Sequence, residues 1–280
     1  MVPSAPSPRG GALKNAIRFI AIGAMAFGAL AHAQAPAEVT LTRLACGDGF
    51  NDQRRFSDSF AYHNEKMPFT FSCYVIKHGS DVMVWDTGFA PGSTPNANNK
   101  PITDLLSQIN VKPDQVKYVG ISHFHADHTG QLAPFTNATL LIGKGDWDGL
   151  NANPPMGGAN VAGFKDFMGG GRKVEPLTAD KDVFGDGSVM ILRTPGHTPG
   201  HSALLVRLKE KGPVLLTGDA VHFHENYTSD NVPGFNYDRA QTIASIERIK
   251  QIEKNLKATV IIQHDPRDIG KLPAFPASAN

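Results

Sequence analysis

Three imidazoles and a carboxylate crowd into six consecutive residues, His123-Phe124-His125-Ala126-Asp127-His128, directly after the apolar stretch Lys117 to Ser122. Three more short apolar stretches end in residues of the same chemistry. Ser188 to Arg193 runs into Thr194-Pro195-Gly196-His197, Val214 to Thr217 into Gly218-Asp219, and Thr259 to Gln263 into His264-Asp265. Runs of this length and composition read as β-strands. If the four strand ends lie side by side, His123, His125, Asp127, His128, His197, Asp219 and His264 converge on one edge of a sheet. A fold that achieves this has little freedom left in its topology.

Seven nitrogen and oxygen ligands exceed the four that one zinc ion prefers, but they suit two ions sharing a carboxylate. Alternate residues of an extended chain point the same way, so His123 and His125 can serve one target. Adding His197 completes a first set; Asp127, His128 and His264 form a second, and Asp219 bridges the two. Paired ions of this kind generate a hydroxide from water at neutral pH and polarise the group it attacks. Mixed imidazole and carboxylate sets accept zinc and also cobalt, manganese or iron; two divalent ions, zinc first among them, are the expected cofactors.

The remaining sequence supplies the frame. Further strands are expected at 39–45, 69–77, 81–85, 139–142 and 202–208, and helices at 103–109 and 238–256. In the last of these Ile243, Ile246, Ile249, Ile252 and Leu256 recur at helical spacing behind Asp238 as N-cap. Residues 90–101 read as loop. The Gly-, Asn- and Pro-rich stretch 145–171, which carries Trp147, Met156, Phe164, Phe167 and Met168, reads as a mobile lid or pocket wall. No internal repeat or linker divides the chain.

The first residues belong to a different category. Arg9, Lys14 and Arg18 precede the apolar run Phe19 to Leu30, and Ala31-His32-Ala33 gives a small-x-small cleavage pattern. Residues 1–33 therefore read as a secretory signal peptide and 34–280 as a single catalytic domain, periplasmic or secreted. The apolar run is too short to span a bilayer, so no membrane association is expected. A formal charge of +1, which turns slightly negative once the three leader cations are removed, argues against nucleic acid as a partner. The two cysteines, Cys46 and Cys73, would meet oxidising conditions after export; a disulfide and two buried thiols both remain open.

The string HFHADH, followed by TPGHTPGHS, TGDA and QHD, resembles the metallo-β-lactamase superfamily over about residues 70–270. The resemblance implies an α/β fold, the αββα sandwich, with a two-metal site made of the seven residues above. It further implies that Asp86 in the Asp86-Thr87-Gly88 turn orients a ligand imidazole, and that His201 is structural. Asp219 separates the chain from true metallo-β-lactamases, which lack that bridging aspartate. The tail after Asp265 is too short for the glutathione-binding region of glyoxalase II or the extra domains of the nuclease branches.

The segments GDAVHFHENY and IIQHD are most similar to N-acyl homoserine lactonases, the quorum-quenching enzymes. Those enzymes place a tyrosine three residues after the bridging aspartate; here the position is His222. The expected function is thus a metal-dependent hydrolase that opens the lactone ring of N-acyl homoserine lactones by attack of a metal-bridging hydroxide. Asp127, Asp219 and His222 are its catalytic residues, and the substrate is a lactone bearing an acyl chain. The acyl chain's wall is expected from Met156, Phe164, Phe167 and Met168, or from Phe50, Phe60 and Met67. Alternatives are a β-lactam, organophosphate or aryl-ester hydrolase, and a non-catalytic periplasmic metal-binding protein. No second role is assigned to His63, His78 or His224.

Overall fold

A computed structural model describes residues 37–62, 65–94 and 98–280. The expected signal peptide lies outside these residues. Among the described residues eleven strands form two sheets. The first contains β1 (Val39–Asp52), β2 (Lys66–His78), β3 (Asp81–Trp85), β4 (Val116–Gly120), β5 (Thr139–Gly143) and β6 (Val174–Leu177), paired in that order. The second contains β7 (Lys181–Asp182), β8 (Val189–Arg193), β9 (Ser202–Leu208), β10 (Gly212–Leu216) and β11 (Thr259–Ile261), in the order β11-β10-β9-β8-β7.

Why the strands read as unbroken apolar runs is clear from β9. Leu204 and Val206 face the first sheet, while Ala203 and Leu205 face the opposite way, onto a helix. Both faces are buried, so the usual alternation of polar and apolar residues disappears. The layer between the sheets packs Leu41, Tyr74, Ile76, Met83 and Trp85 against Leu204, Val206, Leu216 and Ile261.

Helices α1 (Ile102–Gln108), α2 (Ala126–Thr129), α3 (Lys144–Asn151), α4 (Val161–Met168), α5 (His224–Ser229) and α6 (Arg239–Leu256) complete the chain. Leu105 and Leu106 of α1 and Phe164 and Phe167 of α4 cover the outer face of the first sheet, against Val75, Val84, Val119 and Leu140. On the other side, Ile246 and Ile249 of α6 cover Leu205, Leu215 and Val260. Asp238 caps α6, its side chain accepting from the Gln241 N–H. The result is an αββα sandwich.

One sequence expectation changes and one open alternative is decided. Residues 145–171 are not simply a loop: they hold most of α3 and all of α4, and Phe164 and Phe167 are buried in the core, leaving them no part in a substrate wall. Tertiary burial of two aromatics outweighs the low helix propensity of that stretch. Cys46 and Cys73 are joined by a disulfide, with their Cα atoms 5.9 Å apart. Cys46 sits at a bulge in β1, where the register with β2 slips between Ala45 and Gly47. Among the described residues no helix is long and apolar enough to cross a membrane.

Candidate metal centre

The loops following β4, β8, β10 and β11 meet at one edge of the sandwich and bring all seven histidine and aspartate side chains together. Ligand-type atoms of His123, His125, His197 and Asp219 lie within 4.8 Å of one another, as do those of Asp127, His128, Asp219 and His264. Asp219 belongs to both groups through different oxygens. Its Oδ2 lies 3.7 Å from His123 Nε2 and 3.5 Å from His197 Nε2. Its Oδ1 lies 3.2 Å from His128 Nε2 and 2.9 Å from His264 Nε2. Asp127 Oδ2 stands 3.4 Å from His128 Nε2 and 3.5 Å from His264 Nε2.

Hydrogen bonds behind the rings decide what the rings present in front. His264 Nδ1 donates to the Thr70 carbonyl at 2.9 Å, His128 Nδ1 to Asp86 Oδ2 at 2.8 Å, and His197 Nδ1 to Asn236 Oδ1 at 2.8 Å. A neutral imidazole whose Nδ1 carries the proton offers a bare lone pair at Nε2. Three such lone pairs therefore point at the Asp219 carboxylate, whose buried Oδ1 accepts no hydrogen bond among the described residues. Facing acceptors of this kind need positive charge between them, either a proton on the ring or a bound cation. The donor set of imidazoles and carboxylates fits divalent metal ions.

The electrostatics divide the two groups: against burial, Asp219 and Asp127 raise His264 and push His128 well above the ordinary imidazole range, as a bound cation's ligands would be in its absence. Burial pushes His123 and His197 well below the ordinary imidazole range and lowers His125, keeping their lone pairs free. Burial would raise Asp219, but His264, His128 and His222 around it hold it well below the usual carboxylate value.

Asp86 carries the second layer of this site. It adopts a left-handed φ of 57°, a conformation that costs a non-glycine residue energy and is kept where the surroundings enforce it. Its carboxylate accepts from the Ser122 N–H at 2.7 Å, from Ser122 Oγ at 2.9 Å and from Gln263 Nε2 at 2.7 Å, besides His128. One side chain thus ties the β4 loop to the β11 loop.

Asp146, at the start of α3, does the same for the other half. It accepts from the Phe124 N–H at 3.0 Å, from Thr198 Oγ1 at 2.9 Å and from the Gly200 N–H at 2.6 Å. Phe124 lies between His123 and His125, and Thr198 follows His197. Sequence reasoning missed Asp146 and Asn236, since each is a lone polar residue in a polar stretch.

His201 sits behind the cluster. Its Nδ1 donates to the Thr194 carbonyl at 2.8 Å and its Nε2 accepts the Asp219 N–H at 2.9 Å. Two further histidines lie away from the cluster: His78 pairs with Asp186, and His224 with Asp268. His63 falls outside the described residues.

A cavity of about 410 Å³ opens beside the cluster, lined by His125, Asp127, Asp219 and His222 on one side and by Phe56, Phe69 and Phe235 on the other. His222 is buried, its Nε2 3.1 Å from Asp219 Oδ2 and its Nδ1 without a partner among the described residues. Its ring packs 4.6 Å from Phe56. Gly158 forms another part of the wall at a φ of +84°, and a Cβ there would stand 2.9 Å from His125 Nε2. Phe50 and Phe60 are exposed and do not line this cavity, and Met67 packs beneath it against the phenylalanine cluster.

Residues 68–264 match the Metallo-beta-lactamase superfamily. The chain belongs to the metallo-β-lactamase superfamily. Among curated superfamily members it is 34% identical over 166 residues to the N-acyl homoserine lactonase AttM of Azorhizobium caulinodans; the match covers 58% of this chain and 62% of that relative. The chain thus spans less than two thirds of that relative's length. A crystal structure of a quorum-quenching N-acyl homoserine lactone lactonase matches with a TM-score of 0.75 at 23% identity, covering 87% of this chain and 98% of that one. AidC, a dizinc quorum-quenching lactonase with bound product, matches with a TM-score of 0.67 at 18% identity, over 87% of this chain and 90% of the other. These two likenesses establish a shared metallo-β-lactamase fold.

Proposed function

We propose that this metallo-β-lactamase superfamily member is an exported N-acyl homoserine lactonase that holds two zinc ions and opens the lactone ring by hydrolysis. The observation that carries the reading is the position of Asp219, one carboxylate oxygen facing each group of imidazoles, at the foot of a cavity walled by three phenylalanines. The AttM relative supports the substrate class, the dizinc AidC supports the metal, and the Cys46–Cys73 disulfide supports an oxidising compartment. On this reading residues 1–33 are removed and 34–280 act as one catalytic domain.

His123, His125, His197 and Asp219 would hold one ion, and Asp127, His128, His264 and Asp219 the other. When bound, the ions supply an acidified water and a positive field for the oxygens of the reacting ester. The protein's own groups do the rest. Phe56, Phe69 and Phe235 take the acyl chain and exclude water from the reacting face. Asp127 borders the cavity and is held ionised by His128 and His264 against the effect of burial, so it can receive the proton that the attacking water gives up. His222, on the cavity wall, hydrogen-bonds the substrate carbonyl or the departing alkoxide, the place a tyrosine hydroxyl takes in the resembling lactonases. No serine or cysteine nucleophile is required.

Metal quantification combined with a substrate panel tests the reading. Two zinc ions per chain and acid release from long-chain acyl homoserine lactones, exceeding turnover of nitrocefin and paraoxon, are expected. Full lactone hydrolysis by Asp219→Ala or His264→Ala would overturn it, as would a preference for paraoxon or nitrocefin.

A further inference from the structure

A second groove lies across Phe69 from the metal centre, with Phe69 lining both. Its volume is about 310 Å³, at the small end for sites that hold small molecules. Phe50, Pro68, Phe69 and Ile269 give it apolar walls, and the exposed Asp48 is its one acidic residue. The exception to this apolar character is Arg43 of β1.

Arg43 is only 9% exposed and lines the groove. Its Nε donates to Ser72 Oγ at 2.8 Å and its Nη2 to Thr70 Oγ1 at 2.7 Å. Both partners are neutral, Nη1 has no hydrogen-bond partner among the described residues, and no described carboxylate forms an ion pair with the guanidinium. A buried charge without a counter-charge is costly, and proteins normally pair it. Burial accordingly lowers the Arg43 pKa. A planar guanidinium with a free edge matches a carboxylate, and the surrounding walls match an alkyl chain.

We propose that this groove binds an amphipathic carboxylate, an unbranched acyl chain whose carboxylate pairs with Arg43 while its tail lies between Phe50, Pro68 and Ile269. The site is separate from the metal centre and does not depend on the reaction assigned there. It is nevertheless linked to that centre: Thr70, which accepts from Arg43 through its hydroxyl, accepts from His264 Nδ1 through its carbonyl, and Phe69 stacks on the His264 ring at 4.3 Å.

Calorimetric titration of the metal-loaded protein with octanoate, and with octanamide as its uncharged counterpart, tests the proposal. Octanoate is expected to bind at one site per chain about tenfold more tightly than octanamide, a difference of about 1.4 kcal/mol. Arg43→Met should remove that preference. Ile269→Glu, which places a negative charge in the groove wall, should weaken octanoate binding by about tenfold or more while leaving metal content and lactone turnover unchanged. Should Arg43→Met fail to fold, the octanoate–octanamide contrast and the Ile269→Glu protein decide the matter. Equal binding of octanoate and octanamide, or undiminished octanoate binding by Ile269→Glu, would show that the groove is no carboxylate site.

Discussion

The backbone N–H of Asp219 donates to Nε2 of His201 at 2.9 Å, so the carboxylate shared by both imidazole groups hangs from a buried ring that packs behind His123. This bond requires a neutral His201, and burial pushes its pKa down to about 4.

Between about 4 and the unfolded value near 6.5, the unfolded chain binds this proton and the folded chain does not. His201 therefore supports the fold fully above about 6.5, and its contribution is lost as pH falls toward 4, for a total of about 3 kcal/mol. His201→Phe should flatten the melting temperature's dependence on pH across that window, relative to the unsubstituted protein, in thermal melts of the metal-free form. It should also lower stability at pH 7 by about 1–3 kcal/mol, because the Asp219 N–H is left buried and unpaired.

Asp146→Asn removes one acceptor and turns an N–H toward a donor that previously faced oxygen. The two loops it joins carry His123, His125 and His197. Metal affinity of that group is expected to fall by about 10–100-fold, the usual effect of losing a residue that orients ligands. Competition with a chelator, read by metal analysis, should show one ion leaving well before the other. Simultaneous loss of both ions at unchanged affinity would contradict the expectation.

Much of this centre was legible in the sequence because ligand chemistry must be spelled in residues, and because a strand feeding a ligand loop leaves an apolar run ahead of it. HFHADH, His197, Asp219 and His264 each follow such a run. The cavity wall was not legible. Phe56, Phe69 and Phe235 come from three segments whose meeting no periodicity records, whereas Phe164 and Phe167, equally aromatic, are core. The helix that buries them was hidden by a composition of Gly, Asn and Pro, since eight residues are too few for propensity to speak above packing. Arg43 looked like any strand residue until its neighbours proved neutral.

His222 is expected to respond to chemistry more than to shape. His222→Phe should reduce kcat on a lactone by about 10–100-fold with little change in KM, and His222→Tyr should recover most of it by restoring a donor. Equal rates for His222→Phe and the unsubstituted protein would remove the residue from the reaction. Metal analysis of both variants separates this effect from loss of ions.

Gly158→Ala puts a methyl group where only 2.9 Å separates it from His125 Nε2, at a backbone angle that favours glycine. The variant should fold, bind less metal at the His123/His125/His197 group, and lose lactone turnover in proportion. Metal titration followed by activity measurement checks the order of these losses.

Reduction of Cys46–Cys73, or its replacement by alanines, frees a loop closed across a sequence separation of 27 residues. The expected cost is about 3 kcal/mol, read as a lower denaturant midpoint with an intact site afterwards. An unchanged midpoint after confirmed reduction would contradict it.

The imidazoles and carboxylates of the centre come from loops on both sheets, spread from His123 to His264 along the chain, and none of the four loops holds a complete set. If the two groups hold ions as proposed, metal capture is a late event in the life of the chain. Neither half of the sandwich then offers a full ligand set before the other has docked, and retained metal would gauge the seating of one sheet against the other more sensitively than secondary structure does.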